Sequence, residues 1–123
     1  MRSKFEESIF KSLEGKVKAE YESEKLSYTV TLSYVPDIIV YFVHRPTMYL
    51  ELKGYLDYDD QRKMRAVKQA NPELDIRFVF MKDNKISKTS KLTYSSWSEK
   101  YGFPFCFNTI PEEWLIDKSS SNL

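Results

Sequence analysis

The chain has 123 residues, 41% of them hydrophobic, with 19 basic and 18 acidic side chains, a formal net charge of +1 and one cysteine, Cys106. That length suits one domain able to bury roughly two-thirds of its unfolded surface, and the lone cysteine excludes an internal disulfide or a Cys-clustered metal site and fits a reducing cytosol. No apolar run approaches the ~20 residues needed to cross a bilayer, and the N-terminus is charged rather than signal-like, so no membrane partner is expected.

In chain order, residues 3–15 read as a helix: Ser3 and Glu6 have capping-box spacing, Phe5, Ile9 and Leu13 share a face, and Gly15 is a stop. Residues 17–21 and 26–32 place apolar or aromatic side chains at most alternate positions and read as strands. Pro36-Asp37 then opens an apolar run over residues 38–43, followed by the turn-like His44-Arg45-Pro46-Thr47 and a second run over residues 48–53, which predicts a β-hairpin. Asp57, Asp59 and Asp60 stand where the macrodipole of a helix reaching about Ala70 favours negative charge, and Asn71-Pro72 ends it. The dense apolar run at residues 76–81 suggests a central strand covered on both faces. Residues 82–93 form a Lys- and Ser-rich loop, residues 95–101 a short helix stopped by Gly102, and Pro111 opens a last helical turn through Trp114. The polar tail, residues 118–123, is expected to fray. The order implies one α/β domain over residues 1–117, an α+β mixed sheet flanked by helices.

Charge is unevenly spread. Residues 1–60 carry 8 basic and 11 acidic groups, net −3, whereas residues 61–100 carry 10 basic and 4 acidic groups, net +6. A solvated charged surface produces such asymmetry, and so does an acidic metal pocket beside a cationic DNA-binding face.

The strongest local signal is Pro36-Asp37 followed by Glu51-Leu52-Lys53. Glu51 and Lys53 are two apart on a strand and leave the same face. The midpoint of 37 and 51 is position 44, in the presumed turn, so the hairpin returns Asp37 to a place opposite Glu51. Two carboxylates and an ammonium at one end of a hairpin suit phosphodiester hydrolysis: hard oxygen ligands hold Mg²⁺, the cation acidifies water, and Lys53 orients that water or offsets transition-state charge. This is the pattern of the PD-(D/E)xK nucleases. It is loose by itself, because alternating charges on a surface strand or a structural ion pair reproduce it. Paired charges inside an otherwise apolar strand nevertheless more often serve a site than a surface.

Beyond this motif the sequence resembles the endonuclease I resolvases of lytic tailed bacteriophages. The matching blocks, in order, are RSKFEE from Arg2, EYE from Glu20, Pro36-Asp37, ELKG from Glu51, Asp59-Asp60, NPELDIRFVF from Asn71, EKYG from Glu99 and IPEEW from Ile110. The resemblance implies an endonuclease that cuts branched DNA, above all four-way (Holliday) junctions, with Mg²⁺ and also Mn²⁺, in the cytoplasm of an infected bacterial host. It implies a PD-(D/E)xK, restriction-endonuclease-like core in an intertwined, domain-swapped homodimer. By motif, the catalytic residues correspond to Asp37, Glu51, Lys53 and Glu6, with the metal held by Asp37, Glu51, Glu6 and the Leu52 backbone carbonyl. Glu6 keeps two readings, a cap for its own helix or a ligand supplied to the partner's site. The sequence departs from the pattern in a shorter segment between Glu22 and Asp37, which should contain the subunit bridge, in a longer hairpin, and in lacking a strongly basic C-terminal extension.

Arg62, Lys63, Arg65 and Lys68 lie along the second helix and are either a solvated face or phosphate contacts. His44 reads as an exposed turn residue, and Trp97, Trp114, Phe103, Phe105 and Phe107 as packing rather than base-stacking groups. Two other functions fit the same residues: a PD-(D/E)xK nuclease for linear or nicked DNA, and a non-catalytic junction-binding protein that keeps the fold.

Overall fold

The computed structural model describes residues 3–118; Arg2 of the first matching block and residues 119–123 of the expected polar tail lie outside them. The chain divides into two compact units, residues 1–32 and 33–123.

In the first unit, α1 spans Lys4–Ser12. The Ser3 hydroxyl accepts the Glu6 N–H at 3.1 Å and the Glu6 carboxylate accepts the Ser3 N–H at 3.3 Å, so the capping box read from the sequence is formed. The helix ends before Gly15, which sits in the following turn at φ +72°. The expected strands at 17–21 and 26–32 are not formed; those residues carry no regular structure, and Leu26, Tyr28 and Leu32 are 83–87% exposed. Alternation prepares a face for packing, but a strand persists only where its N–H and C=O groups find a ladder, and among the described residues these segments pair with none.

The second unit is a mixed α/β fold. A four-stranded sheet has the order β1 (Ile38–Val40), β2 (Met48–Lys53), β3 (Asp75–Phe80) and β4 (Phe105–Phe107). The first pair is antiparallel, with Ile38 opposite Leu50 and Val40 opposite Met48. That register extrapolates to Asp37 opposite Glu51, the hairpin expected from the sequence. Parallel pairs follow through α2 (Tyr58–Ala70) and α3 (Tyr94–Tyr101), as crossover connections require. Each of these helices is capped by a short polar side chain, Asp57 on the Asp60 N–H and Thr93 on the Ser96 N–H. Gly102 closes α3 at φ +79°, a left-handed position that glycine adopts without Cβ strain. Pro111 precedes a 3₁₀ turn, Glu112–Leu115, as its cap rather than its first residue.

The larger core cluster lies on one face of the sheet, with Met48 and Leu50 buried on the other. Ile76, Phe78 and Phe80 of β3 pack with Leu56, Met64 of α2, Tyr94 and Trp97 of α3, and Phe103. Phe78 meets Trp97 and Phe103 edge-on and stacks on Phe80, centroids 5.1–5.9 Å apart. β3 is thus internal but not closed on both sides: Asp75, Arg77 and Val79 face a half-covered surface where the Arg77 guanidinium lies 4.9 Å over the Trp114 ring. The packing roles read for Trp97, Phe103, Phe105 and Phe107 hold, with Phe105 and Phe107 in β4, where aromatic residues take alternate positions from Phe103, and Trp114 packs under the Arg77 guanidinium.

Candidate active site

In paired strands, residues opposite each other leave the same face of the sheet. Glu51 pairs with Phe78 and Lys53 with Phe80, so both charged side chains of β2 point to the face that carries the aromatic core. Tyr49, Glu51 and Lys53 are on that face; Met48 and Leu50 are buried on the other. Glu51 consequently retains only 5% of its surface, although nothing in its local sequence is more apolar than an ordinary strand.

Such a carboxylate needs partners, and the structure supplies them from three elements. The Tyr34 hydroxyl, from the segment entering β1, donates to Glu51 Oε1 at 2.7 Å. Lys53 Nζ stands 4.0 Å from Glu51 Oε2 and closer, 3.1 Å, to Asp60 Oδ1 at the start of α2. Asp37, just before β1, accepts the Leu52 N–H through Oδ2 at 2.8 Å. The N–H and C=O of one strand residue leave the same strand edge, so the Leu52 carbonyl is on Asp37's side. Asp60 is also the residue whose carboxylate accepts the Asp57 N–H in the cap of α2, which ties Lys53 to the helix end. Gly54 follows directly, and a Cβ there would lie 2.9 Å from Sδ of the exposed, flexible Met81 side chain.

The electrostatics follow from this packing. Burial pushes the Glu51 carboxyl above the ordinary carboxylate range; the Tyr34 bond opposes it, Asp37 reinforces it, and Lys53 and Lys63 oppose it. Burial also raises the Tyr34 phenol, and its bond to Glu51 raises it further, which favours the protonated, donating form. Burial works to raise Asp60, but the hydrogen bonds from Lys53 and the Asp57 amide hold it below the usual range. The result is a desolvated acid, a second acid beside it, and an ammonium shared with a third.

A hard divalent cation suits this donor set. A buried carboxyl destabilised in its ionised form by desolvation and by a neighbouring carboxylate is relieved by added positive charge, and Mg²⁺ commonly takes only one or two carboxylates along with water. Among the described residues no group of three or more His, Cys, Asp or Glu side chains is placed to hold a metal. Glu6, in the first unit, caps its own helix and accepts a hydrogen bond from the Tyr21 hydroxyl, which pushes that phenol up to about 12.

The four basic residues of α2 are not equivalent. Lys63 Nζ lies 5.7 Å over the Tyr34 ring, beside the acidic centre. Arg62 lies 5.8 Å over Tyr58. Arg65 covers Tyr101 at 4.3 Å, and Lys68 donates to the Gly102 carbonyl at 2.9 Å while lying over Phe103. Arg65 and Lys68 line a shallow cavity of about 410 Å³ with Ala66, Gln69 and Tyr101. His44 is exposed, as read, and its N–H donates to Asp117 Oδ1. Two residues at the site, Tyr34 and Asp60, escaped the sequence reading. Tyr34 carries no local signal, whereas Asp60 was legible as a helix-start acid but not as the partner of Lys53.

Two acids and an ammonium thus converge where a hairpin meets a helix N-terminus, an arrangement chemically suited to phosphodiester cleavage. A family model described as phage endonuclease I matches residues 1–122. The chain is 37% identical over 119 residues to endonuclease I of Escherichia phage T7, covering 93% of this chain and 77% of that protein. It is 36% identical over 115 residues to endodeoxyribonuclease 1 of Enterobacteria phage T3, covering 89% and 73%. The chain belongs to the phage endonuclease I family and is an endonuclease.

Proposed function

We propose that this chain is a structure-selective DNA endonuclease that resolves four-way junctions and other branched DNA by metal-dependent phosphodiester hydrolysis. The observation that carries the reading is the meeting of Asp37, Glu51 and Lys53 on one hairpin in a chain of this family. Asp37, Glu51 and the Leu52 carbonyl would hold Mg²⁺, or Mn²⁺ in its place, and Glu6 would complete the set from the partner in an intertwined, domain-swapped homodimer built on a PD-(D/E)xK core. The cation, when bound, supplies Lewis acidity that makes water nucleophilic at neutral pH. Lys53 contributes fixed positive charge beside the phosphate, and Asp60 holds its ammonium so that little reorganisation accompanies the reaction. Residues 1–117 act as a single nuclease domain with residues 118–123 as a tail, working in the cytoplasm of the infected host. No helix among the described residues is long and apolar enough to cross a membrane.

Arg62, Lys63, Arg65 and Lys68 contact phosphates, with the largest share from Lys63 because it stands nearest the acidic centre. Selectivity comes from the fixed separation of two sites in the dimer, matched to a branched backbone rather than to bases. A synthetic four-way junction and a linear duplex of the same sequence, each offered with Mg²⁺, test this directly: the junction is cut and the duplex is not. Equal cleavage of both points to a nuclease for linear or nicked DNA, and tight junction binding with no cutting in Mn²⁺ points to a non-catalytic binder.

A further inference from the structure

We propose that Tyr34 is a positioning residue of the metal site, its phenol holding one oxygen of the Glu51 carboxylate so that the other is presented to the cation. The inference rests on the metal-dependent reading above. Glu51 is 5% exposed, so little water reaches its carboxylate and protein groups dominate its orientation. Among the described residues, the side-chain hydrogen bond to that carboxylate is the one from Tyr34, 2.7 Å to Oε1. The other oxygen, Oε2, has Lys53 Nζ at 4.0 Å, beyond hydrogen-bond reach, and Lys53 is drawn instead to Asp60 at 3.1 Å. Oε1 is therefore committed and Oε2 available.

The stretch that carries Tyr34 strengthens the case. Tyr34 and Asp37 are three residues apart, and between them they grip β2 at consecutive residues: Tyr34 through the Glu51 side chain, Asp37 through the Leu52 N–H at 2.8 Å. One short segment thus supplies a ligand of its own and orients the ligand on the neighbouring strand. The Tyr34 ring is itself fixed, packed against the aromatic core on one side with Lys63 Nζ 5.7 Å from its centroid. Partners that orient metal ligands from outside the coordination shell typically change affinity by ~10–100-fold when removed.

Tyr34→Phe keeps the ring and removes only the donor. Titration calorimetry of Mn²⁺ into the DNA-free protein should show roughly 10-fold weaker binding in Tyr34→Phe, with thermal unfolding of the metal-free protein within a few degrees of wild type. The Mn²⁺ concentration for half-maximal junction cleavage should rise by the same factor, while the rate at saturating metal recovers to within a few-fold. The effect should also vanish in a Glu51→Gln background, since the two residues act as one unit; a purely structural role would add to Glu51→Gln and would survive at saturating metal. Wild-type Mn²⁺ affinity in Tyr34→Phe, or strict additivity with Glu51→Gln, overturns the proposal alone. If wild-type protein itself takes up no Mn²⁺, the metal-dependent reading and this inference fall together.

Discussion

Lys53→Ala is expected to lower single-turnover junction cleavage by about 10²–10³-fold, the usual loss when one fixed charge or donor facing a developing anion is removed. Junction affinity should stay within a few-fold of wild type. The reason lies in how Lys53 is held. Its ammonium is 3.1 Å from Asp60 and 4.0 Å from Glu51, so a phosphate brought to the site meets a cation already oriented by protein groups. The fold should survive, because Asp60 keeps its bond from the Asp57 amide and α2 keeps its cap. Far-ultraviolet circular dichroism and a thermal melt alongside the cleavage assay separate the two roles. Retained cleavage, or unfolding of the variant, identifies Lys53 as the cation of a structural ion pair instead.

Glu51→Gln carries two expected effects of opposite sign. Cleavage should fall on the order of 10³-fold, since an amide is a poorer ligand for a hard cation than a carboxylate and brings no charge. Stability of the metal-free protein at pH 7 should rise by about 1 kcal/mol. The sign follows from the direction of the Glu51 shift, in which burial raises its carboxyl above the ordinary value of 4.5. A group more easily protonated when folded than when unfolded favours the fold fully below its unfolded pKa, and that contribution is lost as pH rises through the folded pKa. At neutral pH ionised Glu51 therefore works against folding, and the neutral amide removes the penalty while still accepting from Tyr34. Denaturant unfolding without metal at pH 4 and pH 8 checks this: the advantage of Glu51→Gln should be small at the lower pH and grow toward the higher. A variant less stable than wild type at pH 8 shows that Glu51 is retained for its interaction with Lys53. A stabilising change that destroys activity is the usual mark of a side chain kept for function.

How far the sequence discloses this site depends on the range of the interactions. The hairpin was legible because its register follows from positions 37, 44 and 51 alone, the cap of α1 because Ser3 and Glu6 act within one turn, and the start of α2 because Asp57, Asp59 and Asp60 cluster where the macrodipole favours acids. The burial of Glu51 was not, because it depends on parallel pairing with Phe78 and on the core beneath that strand, both distant along the chain. Tyr34 was missed for the same reason: seventeen residues separate it from the oxygen it bonds. The segments at 17–21 and 26–32 failed in the opposite direction. Their alternation is real, yet a strand is a property of two segments, and the pattern of one says nothing about whether the other is within reach.

Metal dependence of junction cleavage by the wild-type protein, followed at single turnover from excess EDTA through a titration of Mg²⁺ or Mn²⁺ with Asp37→Ala in parallel, bears most directly on the proposed site. The expected result is no cutting in EDTA, saturable recovery with either cation, and no recovery in Asp37→Ala at any concentration. Undiminished cutting in EDTA, or wild-type cutting by Asp37→Ala, would contradict it.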